Sequence, residues 1–245
     1  FFYGLTSVKK LLPACVAAGV KDEKVTTYEL PLVQITDKPR FPYRGFMLDV
    51  ARHFFSVQEV KKMLDVMAIY KLNKFHFHLT EDQGWRWEVK KYPRLTSVGS
   101  VASNTYVTSM QHGAYWTNRP YGPYFYTRAE LKDIVAYAAE RHIEVIPEID
   151  MPGHSEAFVR AMGFDMQSAQ GVAALHTILE EVATIFPHAP YLHIGADEKR
   201  ITYPDFLPQM IAKVHALGRK VVVWNPIQGV DLCTLPIDMT QMWST

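Results

Sequence analysis

Tyr191-Leu192-His193-Ile194-Gly195-Ala196-Asp197-Glu198 reads as a short apolar strand that runs out into small residues and then presents two adjacent carboxylates. The same design recurs along the chain. Gly45-Phe46-Met47-Leu48-Asp49-Val50 is a strand ending near Asp49 and Arg52, and residues 74–79 form a second, followed by Glu81-Asp82. Ile143-Glu144-Val145-Ile146-Pro147-Glu148 is a third, with Asp150 and His154 beyond it. After 191–195 as the fourth, residues 220–224 form a fifth ending in Trp224-Asn225, and 238–243 a sixth ending in Trp243. Strands alternating with helices in this way imply a parallel sheet, either doubly wound or closed into a barrel. No glycine-rich dinucleotide fingerprint follows the first strand, and no phosphate loop exists anywhere. Reactive residues instead gather at the carboxyl end of strand after strand, which is where barrel enzymes carry them. The reading is an α/β chain of the TIM-type (β/α)8 barrel class, with six of eight strands present.

Helices fill the intervals. Ser56 with Glu59 three residues on is a capping-box signature, and Val60, Leu64, Met67 and Ala68 fall on one helical face. Thr127 with Glu130 opens a second capped helix carrying Leu131, Ile134, Val135 and Ala138. Further helices are expected over 171–186 and 205–217. Residues 80–126 are too long for an ordinary βα loop, and long insertions in compact domains are usually functional or disordered. Their Trp and Tyr content argues against disorder. Residues 1–38 read as a helix followed by extended chain and divide from a barrel portion at 39–245.

Bulk properties bound the rest. At 245 residues and 48% hydrophobic, the chain can bury one substantial core. Lys plus Arg (26) nearly balances Asp plus Glu (25), so charge does not imply a nucleic-acid partner. No run is apolar and long enough to span a membrane. Cys15 and Cys233 lack metal-ligand or redox spacing and are expected to be buried free thiols. The start, Phe1-Phe2-Tyr3-Gly4-Leu5, has no basic n-region, no cleavage site and no initiator Met. Both ends read as cut.

Each chemical constellation has a bland counterpart. Asp197-Glu198 could be a dipole-favoured pair at a helix start. Adjacent acids also do not easily straddle a glycosidic bond, as a two-carboxylate glycosidase requires. Glu148-Ile149-Asp150-Met151-Pro152-Gly153-His154 is a sharp turn carrying acids and an imidazole. His76 and His78 share one strand face, and an HxH pair there resembles the metal site of amidohydrolases. Satisfied core histidines are the commoner case. Glu81-Asp82-Gln83-Gly84-Trp85-Arg86-Trp87 suits either loop packing or sugar stacking.

The motifs in order decide among these. Arg44-Gly45 with Leu48 to Arg52, then His78-Leu79-Thr80-Glu81-Asp82-Gln83-Gly84-Trp85, then Glu148 to His154, then His193 to Glu198, resemble glycoside hydrolase family 20. The resemblance covers 37–245, with 1–38 similar to the tail of the small α+β domain that precedes this barrel. It implies hydrolysis of terminal non-reducing β-linked N-acetylglucosamine or N-acetylgalactosamine. The mechanism it implies is substrate-assisted and retaining, with the substrate's own acetamido carbonyl as nucleophile and an oxazolinium intermediate. By the same resemblance, Glu198 is the general acid and base, and Asp197 orients the acetamido group. Arg44 binds sugar hydroxyls, Asp82 and His154 form a polar network supporting the acid, Asp150 stands behind them, and Trp224 and Trp243 wall the pocket. No cofactor and no metal are implied, the implied partners are N-acetylhexosamine-containing glycans or oligosaccharides, and family habit alone suggests an extracytoplasmic setting, the compartment itself staying open. Gly195-Ala196 replaces the family's frequent Gly-Gly. The last two strands and their pocket residues have no counterpart, so an isolated 1–245 chain is expected to be weakly active or inactive. The alternatives are a barrel that binds N-acetyl sugars without cleaving them, and a metal-dependent hydrolase using His76 and His78.

Overall fold

The computed structural model describes residues 1–12, 16, 27, 29–102, 105–109, 113–117 and 119–243. Six parallel strands form one curled sheet, a partial barrel with helices on its outer face. They are β1 (Gly45–Asp49), β2 (Lys74–His78), β5 (Glu144–Glu148), β6 (Tyr191–His193), β7 (Lys220–Asn225) and β8 (Met239–Met242), paired in that order. These are the six strands expected from the sequence. The long insertion contributes the antiparallel strand pair β3 (Thr105–Ser109) and β4 (Gly113–Thr117), which the apolar pattern did not disclose.

The helices are α1 (Phe2–Lys9), α2 (Val57–Ile69), α3 (Arg94–Ser97), α4 (Arg128–Ala139), α5 (Glu156–Met162), α6 (Ala169–Ile185) and α7 (Phe206–Ala216). Both predicted capping boxes are complete. The Ser56 and Thr127 hydroxyls accept the Glu59 and Glu130 amides, and each glutamate accepts the cap amide in return. Such reciprocal capping satisfies donors that a helix start leaves orphaned. Val60, Leu64 and Met67 of α2 and Leu131, Ile134 and Ala138 of α4 are buried, as their spacing predicts.

Strand alternation divides the barrel wall into two faces. Phe75, Phe77, Val145, Leu192, Val221 and Val223 join the hydrophobic core with the helices. The opposite residues, His76, His78, Glu148, His193 and Trp224, face one another inside the barrel. Register brings Asp49 beside His78, His78 beside Glu148, and Glu148 beside His193. One interior layer is thus polar where branched aliphatics would ordinarily fill it.

No helix of the described residues is long and apolar enough to cross a membrane. Cys233 is exposed, not buried as expected, because it lies in a short 3-10 turn at the surface (Leu232–Thr234). Cys15 lies outside the described residues.

Candidate active site

The strand ends converge on a cleft. Met47, Arg52, His78 and Asp150 lie along one part of it, and His154, Asp197, Glu198, Trp224 and Trp243 complete its lining. Each side chain is brought there by a specific local device. At the end of β1 the Asp49 carboxylate accepts the Ala51 and Arg52 amides, both at 2.9 Å, and the Arg52 guanidinium at 2.6 Å. The chain folds back on itself and turns Arg52 toward the cleft. Arg52 also pairs with Glu81, which is buried.

The loop after β2 is held by Arg86. This buried guanidinium donates to the carbonyls of Ala51 (2.8 and 3.1 Å), Ser100 (2.8 Å) and Tyr124 (3.0 Å). Gly84 is required beside it, since a Cβ there would sit 2.1 Å from the guanidinium carbon. Trp85 and Trp87 are fully buried. Of the two readings of this aromatic loop, packing is the one the structure supports.

His154 follows β5 in a left-handed conformation, with φ +48°. Its Nδ1 lies 2.7 Å from Glu81 Oε1, and its Nε2 lies 3.3 Å from Glu198 Oε2 and 3.9 Å from Asp197 Oδ1. The Glu81 carboxylate raises the imidazole pKa to about 9, outweighing the burial that lowers it. Asp150 is buried, and burial together with the Glu148 charge pushes its carboxyl well above the usual range. Its carboxyl oxygen receives the Ala196 amide at 3.4 Å.

After β6 the chain takes three left-handed residues in four, Gly195 (φ +66°), Ala196 (φ +82°) and Glu198 (φ +57°). A Cβ at Gly195 would fall 1.7 Å from Asp150 Oδ1, so only glycine fits. This turn brings both carboxylates to one wall. Asp197 is buried, and burial raises its pKa against the opposing pull of His154. Its Oδ1 has no hydrogen bond from the described residues, while the Glu198 side chain is half exposed. Backbone strain of this kind, of order 1–3 kcal/mol per residue, collects at functional sites.

The structure places one of the expected residues elsewhere. Arg44 precedes β1 and so lies at the opposite end of that strand from the cleft. Its guanidinium donates to the carbonyls of Lys71 (2.7 Å) and Phe41 (2.8 Å), a structural brace. The cleft arginine is Arg52, which sequence reasoning noted at the strand end without giving it a role. Asp82 stays near His154, with a carboxylate oxygen within 4.8 Å of both the imidazole and the Glu81 carboxylate. It accepts the Glu156 amide at 3.0 Å at the start of α5, and the carboxylate 2.7 Å from His154 is its neighbour Glu81. In an irregular loop no periodicity says which of two adjacent acids points inward. Asp150, His154, Asp197, Glu198, Trp224 and Trp243 all line the one cleft.

His76 and His78 do not form an open metal site. Their inward nitrogens lie 2.6 and 2.5 Å from Glu148 Oε2, and all three residues are buried. His76, Glu148 and His193 do place possible ligand atoms close together. In this arrangement Glu148 already holds the inward nitrogen of both histidines.

Residues 41–172 match the sequence profile described as the glycosyl hydrolase family 20 catalytic domain. The chain belongs to that family. It is 43% identical over 218 residues to a β-hexosaminidase of Porphyromonas gingivalis, covering 80% of this chain and 26% of that protein. With a β-N-acetylhexosaminidase of Cellulomonas fimi it shares 34% identity over 242 residues, 89% of this chain and 45% of the relative. Among solved structures it superposes with a TM-score of 0.83 on a family 20 exo-β-N-acetylglucosaminidase of Vibrio harveyi in complex with N-acetylglucosamine. That match is at 30% identity and covers 100% of this chain and 43% of that one. This family 20 chain therefore spans less than half the length of these relatives.

Proposed function

We propose that this chain supplies the acid pair and much of the sugar pocket for hydrolysis of terminal non-reducing β-linked N-acetylglucosamine or N-acetylgalactosamine. The observation that carries the reading is the placement of Asp197 and Glu198 side by side on one wall of the cleft. Two carboxylates so placed cannot flank a glycosidic bond, as an acid and an enzyme nucleophile must. The substrate's acetamido oxygen can supply the missing nucleophile. It attacks the anomeric carbon while Glu198 gives a proton to the departing oxygen, leaving an oxazolinium ion. Glu198, now a carboxylate, takes a proton from water as that water attacks the same carbon, which restores the acetamido group and retains configuration.

Asp197 is suited to the acetamido N–H, since its Oδ1 is buried and takes no hydrogen bond from the described residues. Accepting that N–H stabilises the positive charge that develops as the ring forms. His154, whose imidazole Glu81 keeps charged at neutral pH, lies 3.3 Å from Glu198 at the wall where the proton is exchanged. Arg52, which lines the same cleft, is suited to donate to sugar hydroxyls. Trp224 and Trp243 offer apolar surface that holds the acetamido group near its target. Residues 1–38 fit the tail of a preceding small domain, and 39–245 the barrel.

The test is turnover of an aryl β-N-acetylglucosaminide and its galacto epimer by protein carrying this chain. Glu198→Gln is expected to lower kcat by about 10²–10⁴-fold. Full activity in that variant would overturn the acid assignment, and binding of N-acetylglucosamine without turnover in the wild type would favour a non-catalytic barrel.

A further inference from the structure

The polar interior layer calls for an explanation of its own. Glu148 is completely buried, and its Oε1 accepts the indole N–H of Trp224 at 2.7 Å. Its Oε2 takes His76 Nε2 and His78 Nδ1. His193 Nδ1 lies 3.2 Å from Oε1 but accepts the Gly195 amide at 3.1 Å, so it cannot also donate to the carboxylate. Its proton therefore sits on Nε2, and the ring is neutral, in keeping with burial pulling its pKa down to about 4. His78 goes the other way. Burial opposes its charge, yet the carboxylate of Glu148, aided by Asp49 and Asp150, raises it to about 10. The layer thus holds a buried ion pair, Glu148 with His78, and two further donors.

Such a pair contributes little net stability compared with aliphatic packing of the same volume, because desolvation offsets its attraction. What it does contribute is direction. The Trp224 indole walls the cleft, and its N–H is committed to Glu148. Without that acceptor a buried indole N–H is left unpaired, and the ring has an incentive to rotate toward another partner.

We propose that Glu148 is a positioning residue of the cleft, holding the Trp224 indole at the rotation that fits the 2-acetamido group of the sugar. This rests on the reading of the cleft as an N-acetyl sugar site. Glu148 does not itself line the cleft, and it reaches the sugar through the Trp224 indole.

A double-variant cycle on this chain tests it, with the affinity for N-acetylglucosamine as readout and the thermal midpoint recorded for every variant. Glu148→Leu is expected to weaken binding about tenfold, one hydrogen bond's worth. Glu148→Gln, whose amide oxygen can still accept the indole N–H, is expected to retain most of the affinity. In a Trp224→Phe background, Glu148→Leu should cost nothing further, since the donor is already gone. Multiplying losses in the double variant would overturn the proposal, as would unchanged affinity in Glu148→Leu. A second readout does not depend on the sugar or on the folding of any variant. The Trp224 indole N–H in wild-type protein should be protected from hydrogen exchange, and rapid exchange would overturn the positioning role. Protected exchange with no binding of N-acetylglucosamine would leave the indole anchor standing and sink the sugar-site reading instead.

Discussion

His154 Nδ1 lies 2.7 Å from Glu81 Oε1, and the opposite ring nitrogen lies 3.3 Å from Glu198 Oε2. One imidazole thus bridges a buried carboxylate to a half-exposed one at the cleft. Its charge depends on the buried partner, and so does the electrostatic environment of the proposed acid.

This bridge has a pH signature. His154 titrates at about 9 instead of 6.5 because Glu81 stabilises the imidazolium. A raised folded-state pKa contributes stability that is fully present below the unfolded value and lost as pH rises through about 9. Glu81→Gln should return the His154 titration toward 6.5, as followed by its ring resonances in NMR. An unchanged titration would show that another group sustains the charge.

The two arginines should separate cleanly. Arg52→Ala is expected to weaken N-acetylglucosamine binding by about tenfold or more, the value of a charge-assisted hydrogen bond. Arg44→Ala should leave affinity unchanged and lower the thermal midpoint, since it releases the carbonyls of Lys71 and Phe41. Calorimetric titration of both variants decides the matter, and the reverse pattern would restore Arg44 to the pocket.

The turn that delivers the acid pair can be probed at adjacent positions. Gly195→Ala drives a Cβ into Asp150 and should abolish both the turn and any activity. Ala196→Gly relieves a left-handed alanine at φ +82° and is expected to stabilise the chain by up to about 1 kcal/mol. Thermal denaturation of the two variants measures the contrast.

Arg86 should be among the costliest residues to replace. Arg86→Met keeps much of the volume but leaves the Ala51, Ser100 and Tyr124 carbonyls without their donor. At about 1–3 kcal/mol for each buried unsatisfied group, a loss of several kcal/mol is expected in denaturant unfolding. Because Ala51 adjoins Arg52, sugar affinity should fall in the protein that remains folded.

Much of this molecule was legible before any coordinates. Six apolar strands, two capping boxes and the chain order of four motifs are local patterns, and a parallel α/β barrel follows from their alternation. The pair Asp197-Glu198 was legible for the same reason. The antiparallel pair 105–109 and 113–117 was not, because its strands lie inside a polar and aromatic insertion with no apolar alternation to mark them. Tertiary structure alone decided which arginine faces the cleft and which of Glu81 and Asp82 meets His154. It alone joined His76, His78, His193 and Trp224 around Glu148. Those choices depend on sheet register and on turns stabilised by residues far away in the chain. A sequence displays its periodicities in order, but register sets distant residues side by side, and only the folded sheet carries that information.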